Sequence, residues 1–214
     1  MSITKKDFST GYPFQDLEMF YDFLKNKESF NIVKKDENKA FLLNMRLLLI
    51  VSTFTGIKVS QLIQLLWSDV ITLNGENYPT PKKRLIFKRF DIPIIEKLQK
   101  EFVYHHRASS RPRINDYIFT DDGEPWNPRN LARDIRTALE DRGFYYANEF
   151  KTESPQIMFG RTVILVHGYN KRVIQELKKH LNFSSESKLM EFLFIDSEQE
   201  KRRMKYFDNL LSGL

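Results

Sequence analysis

The sequence predicts a mainly helical α+β domain that contains a small antiparallel β-sheet. Apolar residues recur every three or four positions through most of the chain, as they do along amphipathic helices. Between residues 70 and 94 this spacing gives way to shorter stretches of the kind that form strands. The chain has 214 residues, 41% of them hydrophobic, and no internal repeat, low-complexity tract or Gly/Ser linker. We therefore expect residues 1–214 to form a single domain with a sizeable core.

The helices are predicted from this spacing and from their end signals. The helix that begins near residue 38 should end at Thr55-Gly56, because glycine commonly terminates helices. The helix that begins at Lys171 follows a break at Gly168 and presents one apolar stripe. In chain order, the predicted helices are residues 14–24, 38–54, 59–67, 95–106, 129–141, 157–166, 171–181, 186–194 and 198–211.

The sheet is predicted between the third and fourth helices. Residues 70–73, 84–88 and 90–94 are short runs rich in β-branched and aromatic side chains. Asn74-Gly75 is a typical turn dipeptide and should follow the first strand. The result is a small meander that holds most of a run of basic residues.

The composition excludes several classes of protein. With no cysteine, the chain can form no disulfide, no thiolate zinc site and no cysteine nucleophile. The N-terminus has no apolar signal segment, and the longest apolar stretch, residues 47–51, is too short to span a bilayer. We therefore expect a soluble, intracellular protein, cytoplasmic or in the nucleoid if it is bacterial. No metal or cofactor is expected, because His105-His106 is an isolated pair at a helix end that looks exposed.

The net charge of +6 is unevenly distributed. Residues 1–40 carry seven charges of each sign, and residues 116–214 carry fifteen positive and sixteen negative charges. Residues 41–115 carry twelve positive charges against five negative ones, so the whole excess lies there. Such a run fits a solvated surface and a phosphate-binding surface equally well. Its clustered cations are Lys82, Lys83, Arg84, Lys88, Arg89, Arg107, Arg111 and Arg113.

Three segments, in order, resemble the catalytic domain of the tyrosine recombinases, the phage-integrase family. LLLIVSTFTGIKVSQLIQLLWSDV, residues 47–70, is similar to the family segment Thr-Gly-Leu-Arg…Ser-Glu-Leu…Leu…Trp-x-Asp-Ile. The basic stretch that follows lies where the family has a β-hairpin with a phosphate-contacting lysine. HGYNKRVIQELKKH, residues 167–180, resembles Asn-Gly-Val-x-x-x-Val-Ile-Gln-Glu-Leu-Leu-Gly-His. The resemblance covers residues 13–194 and implies an integrase-like catalytic-domain fold.

The resemblance also implies where catalytic residues should lie, and this chain departs at most of those positions. The family cleaves DNA by tyrosine attack on a phosphodiester, with cations around the phosphate and a general acid. Lys58 stands at the first arginine position, which keeps the charge but loses the bidentate guanidinium.

The family motif His-x-x-Arg-His/Arg-Thr can be aligned here in two ways. Anchored on Thr162, it places Ile157 at the histidine position and Gly160 at the arginine position. A shift by one residue would instead use Met158 and Arg161. Either alignment loses the histidine.

The last two catalytic positions fall near the C-terminus. His180 matches the next family residue, although a histidine that caps a helix C-terminus explains it equally well. Phe192 occupies the nucleophile position and has no hydroxyl group. No tyrosine occurs between Tyr169 and Tyr206, and Tyr206 lies beyond the expected helix.

These departures predict a catalytically inactive relative that binds double-stranded DNA through its backbone, as a structural or regulatory factor. One alternative is an active recombinase that uses Tyr206 or a tyrosine donated in trans. Another is a protein-interaction module that no longer binds DNA. Residues 198–214 carry an apolar stripe that could dock onto a second protomer or a partner, or fold onto the chain's own core. The expected DNA contacts are Lys58, Lys82, Lys83, Arg84, Lys88, Arg89, Arg161 and His180.

Overall fold

A computed structural model of the chain describes residues 39–73, 79–81, 95–108, 112–121, 123–141 and 147–195. Several predicted features lie outside these ranges: the first and last helices, the strands at 84–88 and 90–94, and the Asn74-Gly75 turn.

The described part is mainly helical, with two short β-hairpins, which confirms the predicted α+β class. Predicted and observed helix ends agree within about three residues for most helices. The elements are, in order, α1 (Lys39–Thr55), α2 (Val59–Leu62), α3 (Trp67–Val70), β1 (Ile71–Leu73), β2 (Pro79–Pro81), α4 (Ile95–Ala108), β3 (Thr120–Asp121), β4 (Glu124–Pro125), α5 (Pro128–Glu140), a 3₁₀ helix (Ala147–Glu149), α6 (Ser154–His167), α7 (Lys171–His180) and α8 (Glu186–Phe192).

Helix α1 is the centre of the first hydrophobic cluster. Its sequence is apolar around nearly the whole circumference, which is typical of a buried helix. It packs against α4 on one side and α6 on another. Its most deeply buried side chains are Met45, Leu47, Leu48, Leu49 and Val51.

The prediction of one helix over 59–67 is wrong, because the chain breaks between α2 and α3. Leu66 is extended and forms a β-bridge with Tyr117. The backbone N–H of Leu66 donates to Asp69 Oδ2 at 2.8 Å, so the Asp69 carboxylate caps the start of α3. The cap and the bridge therefore interrupt the helix, although the apolar spacing continues through the segment.

The described β-structure consists of two antiparallel pairs. In the first, Ile71 lies opposite Pro81 and Leu73 opposite Pro79, so the predicted first strand is present. Neither β2 nor the second pair, β3 with β4, was predicted from the sequence. The second pair turns at Gly123, whose φ of +87° is readily adopted only by glycine.

His105 and His106 are buried, so the prediction that they lie at an exposed helix end is wrong. They occupy the last turn of α4, which faces the rest of the core. The His106 ring stands edge-on to Trp67, at 5.0 Å between ring centroids, and its Nε2 lies 3.1 Å from Pro112 O. His106 therefore contacts residues from before and after α4 in the chain.

A second hydrophobic cluster joins α6, α7 and α8. It contains Phe159 and Val163 from α6, Leu177 from α7 and Leu189 from α8. Phe192 packs against both clusters and so links them. Among the described helices, none is long and apolar enough to cross a membrane.

Candidate functional site

Four segments converge at the junction of the two clusters: the ends of α1, α7 and α8, and the middle of α6. Gln156 of α6 donates through Nε2 to Gly56 O, at 2.7 Å. His180 at the end of α7 contacts Thr55 O through Nε2, at 2.5 Å. Arg161 of α6 donates to the carbonyl of Leu193, which follows α8. Positions that are far apart in the sequence therefore form one site.

The corner after α1 requires a glycine. Gly56 has a φ of +69°, in the left-handed region. A Cβ at this position would lie 2.5 Å from Phe159 Cδ1. Ser52 Oγ donates to Ile57 O at 2.7 Å, which fixes the chain on the other side of the turn. The corner is therefore held rigidly against α6.

Lys58 follows this corner in the chain, and its side chain is exposed. Its backbone is extended, with φ −60° and ψ 137°, and its carbonyl accepts from Leu62 N at the start of α2. The charged group is thus presented to solvent at the edge of the site.

Both candidate histidine positions on α6 are occupied by buried apolar residues. Ile157 and Met158 lie in the first hydrophobic cluster. The neighbouring Gln156 is also buried, and its amide is held by the Gly56 carbonyl.

Gly160 of α6 packs closely against Leu193, the residue that follows α8. A Cβ at this position would stand 2.5 Å from Leu193 Cδ2 and 3.1 Å from Leu193 Cδ1. Real Cβ atoms essentially never approach so closely. A side chain at position 160 would therefore require the Leu193 methyl groups to move.

Arg161 turns its guanidinium toward the end of α8. Nη1 donates to Leu193 O at 2.9 Å and to Phe194 O at 3.1 Å. Both carbonyls lie beyond the last helical turn, where backbone acceptors lack helical partners. The charge of Arg161 therefore caps α8.

His180 and Phe192 complete the site. A carbonyl only accepts hydrogen bonds, so His180 Nε2 must carry a proton when it contacts Thr55 O. The His180 ring also lies 5.1 Å from that of Phe159. The Phe192 ring is half-buried and packs 4.9 Å from Phe183.

We compared the chain with proteins of known family and structure. No family model and no curated protein matches it. A solved structure that does match is the XerH site-specific recombinase bound to palindromic difH substrate, in a post-cleavage complex. The TM-score is 0.53 at 16% sequence identity, and the match covers 97% of this chain.

The fold is that of a tyrosine recombinase. The match covers 53% of the XerH chain, so the present chain spans about half the length of that recombinase. Among the positions that the sequence resemblance assigned to catalysis, His180 contacts Thr55, which lies shortly before Lys58 in the chain. Gly160 packs against Leu193, the residue after Phe192, and Ile157 lies in the first hydrophobic cluster. The catalytic assignment of these positions stays a prediction.

Other predicted site residues lie outside the described residues, namely Lys82, Lys83, Arg84, Lys88, Arg89 and Tyr206. Within the described residues, no group of three His, Asp or Glu side chains is placed to hold a metal ion.

Sequence reasoning did not identify Gln156, Phe159 or Leu193 as parts of the site. The only available signal was that Gln156 and Phe159 flank the two aligned histidine positions. Their roles depend on contacts with Gly56 and His180, which local spacing does not encode. Leu193 looked like an ordinary apolar position of the last helix.

Proposed function

We propose that this chain is a catalytically inactive DNA-binding protein with a tyrosine-recombinase fold, acting as a structural or regulatory factor on DNA. The phenylalanine at position 192 carries this proposal, because the resemblance puts the nucleophile there and the Phe192 ring has no hydroxyl group.

The chemistry of phosphoryl transfer supports inactivity. Cleavage needs cations around the phosphate, a general acid and a nucleophile. Removing one electrostatic stabiliser commonly slows an enzyme by about 10²–10³-fold. Here Ile157, Gly160 and Phe192 provide neither charge nor a hydroxyl group at their positions.

The distribution of charge supports DNA binding. Lys58 is exposed at the edge of the site, and residues 41–115 hold the whole net positive excess. The XerH structure is a complex with DNA, which makes DNA the natural ligand to propose for this fold. We assign the phosphate contacts to Lys58 and to the basic stretch of Lys82, Lys83, Arg84, Lys88 and Arg89.

Catalytic inactivity is tested with nicked suicide duplexes of mixed sequence. A covalent protein–DNA adduct is not expected, while an active tyrosine recombinase on its own nicked site serves as the positive control. An adduct that forms with this chain and disappears in Tyr206→Phe would overturn the proposal in favour of an active enzyme.

DNA binding is tested by measuring affinity for mixed-sequence duplex across a range of salt concentrations. Each lost phosphate contact should reduce the slope of log K against log salt by about 0.9. A Lys82/Lys83/Arg84 triple alanine variant should therefore lower the slope by about two to three. The matched control is a triple alanine variant at the exposed Lys151, Lys171 and Lys188, which removes the same charge and should change the slope by less than about one.

A protein-interaction module is the second candidate. Two large apolar side chains at or after the ends of α6 and α8 are exposed, Val166 at 68% and Phe194 at 40%, and exposed apolar surface can serve as a docking surface. Two results together would favour this candidate. The chain would not bind DNA at low salt, and its mass in solution would fall to the monomer value when residues 198–214 are removed.

A further inference from the structure

We infer that Arg161 is a positioning residue that fastens the end of α8 to α6, and that this fastening keeps the degenerate site closed to a DNA phosphate. The inference deepens the proposed function and rests on it for the part that concerns DNA. It reassigns Arg161, which the sequence predicted as a DNA contact, to an internal role.

The polar half of the fastening is the pair of bonds from Arg161. Nη1 reaches the carbonyls of Leu193 and Phe194 at 2.9 and 3.1 Å. Hydrogen bonds from a charged donor are stronger than neutral ones. They meet the backbone where it reverses, since Phe194 has a φ of +53° and Ile195 N donates to Met190 O at 3.0 Å. The Arg161 charge therefore stabilises a left-handed turn that ends α8.

The apolar half comes from the adjacent residue of α6. Gly160 lets Leu193 approach until its Cδ2 is 2.5 Å from where a Cβ would be. Leu193 is fully buried by this contact and by its neighbours in the second cluster. Arg161 thus binds the backbone of Leu193, and the preceding Gly160 packs against its side chain.

A phosphate that approached Arg161 would compete with two backbone carbonyls already in place. Both N–H groups of Nη1 are donated to these carbonyls, so a phosphate that took Nη1 would have to displace both bonds, and the carbonyls would lose a charged donor. Leu193 would also have to move before any group could enter beside Gly160. DNA should therefore meet the exposed Lys58 and leave Arg161 in place.

The first experiment compares Arg161→Ala with Lys58→Ala and with Lys188→Ala, an exposed control on α8. Amide hydrogen exchange is measured in the full chain, and DNA affinity is measured against salt. Arg161→Ala should speed exchange at residues 189–195 tenfold or more without changing the salt slope. Lys58→Ala should leave exchange unchanged and lower the slope by about 0.9. Unchanged exchange in Arg161→Ala, or a slope lowered by about 0.9 in that variant, would overturn the inference.

The second experiment tests the Gly160 contact and remains informative if Arg161→Ala does not fold. Gly160→Ala and Leu193→Ala should each speed exchange at residues 189–195, and the double variant should speed it by less than the product of the two single effects, because the added methyl meets no Leu193 side chain there. Single effects that simply multiply in the double variant would contradict the contact between Gly160 and Leu193.

The two proposals fail in different ways. If the wild-type chain does not bind DNA, the proposed function is wrong, and the exchange data alone decide whether α8 is fastened. If the chain binds DNA and Arg161→Ala lowers the salt slope, the DNA-binding function stands and the inference about Arg161 is wrong.

Discussion

At the scale of single residues, Arg46 illustrates how a charge is accommodated inside this fold. Only 3% of its side chain is exposed, and Nη1 donates to Glu101 Oε2 at 2.9 Å, across the contact between α1 and α4. His105 Nε2 lies 3.7 Å from the same oxygen. A buried cation needs such a partner, because an uncompensated charge in the interior is strongly destabilising.

Glu101→Gln should therefore lower the free energy of unfolding by about 3 kcal/mol, since the buried Arg46 guanidinium would lose the charge of a carboxylate 2.9 Å away. Urea denaturation followed by far-UV circular dichroism measures the change. Glu191→Gln, at an exposed position on α8, is the control and should stay within about 0.5 kcal/mol of wild type. A loss for Glu101→Gln no greater than for the control would mean that the pair does not compensate a buried charge.

Gly56 makes a second prediction at this scale. Gly56→Ala should destabilise the chain by about 1–3 kcal/mol more than Gly123→Ala, because only the first alanine collides with a neighbour. Both glycines have positive φ, but a Cβ at Gly56 would meet Phe159 while nothing lies within 4 Å of one at Gly123. Thermal or urea unfolding of both variants checks this. Equal losses would show that backbone conformation alone requires a glycine at position 56.

At the scale of elements, three of the described helices begin with an N-cap residue whose own side chain accepts from the first turn. Asn127 Oδ1 accepts from Arg129 N at 2.9 Å at the start of α5. Asn170 Oδ1 accepts from Val173 N at 3.0 Å at the start of α7. Ser185 Oγ accepts from Lys188 N at 3.2 Å at the start of α8. These bonds satisfy backbone donors that a helix start would otherwise leave unpaired.

Asn170→Ala should lower the free energy of unfolding by about 1 kcal/mol through loss of this cap, and Asn170→Asp should recover most of it. Chemical denaturation provides the measurement. Asn130→Ala is a suitable control, because Asn130 is exposed within α5 and alanine favours a helix there. A control variant as destabilised as Asn170→Ala would contradict the capping role.

At the scale of the whole molecule, the two hydrophobic clusters are connected through α6 and Phe192. Helix α6 contributes Ile157 and Met158 to the first cluster and Phe159 and Val163 to the second. Both tryptophans of the chain, Trp67 and Trp126, lie in the first cluster. Tryptophan fluorescence therefore reports on one cluster, while circular dichroism also reports on α7 and α8.

The two signals should give coincident unfolding transitions in the wild-type chain, as expected for cooperative unfolding. Phe192→Ala should lower the midpoint for both signals, because it removes a ring that packs against both clusters. The control is Phe194→Ala, two residues away and 40% exposed, which should have a smaller effect. Separate transitions in the wild type would indicate that the clusters unfold independently.

Most helices could be predicted from the sequence because their signals are local. The helix that ends at Thr55-Gly56 and the helix that begins at Lys171, after the break at Gly168, follow from apolar spacing and glycine breaks. The helix over 59–67 could not be predicted correctly, since its interruption depends on the bridge between Leu66 and Tyr117. The burial of His105 and His106 could not be predicted either, because it depends on tertiary contacts such as those of His106 with Trp67 and Pro112.

By itself, the sequence determined the order and type of most helices, the concentration of positive charge in residues 41–115, and the absence of a hydroxyl group at Phe192. Only the tertiary structure decided which residues meet at the site. Gln156 contacts Gly56 across 100 positions of the chain, and Arg161 contacts Leu193 across 32. The physical reason is that helix periodicity and caps are set by neighbours within a few residues. The space beside Gly160 and the acceptor that Arg161 reaches are instead set by the packing of α8 on α6.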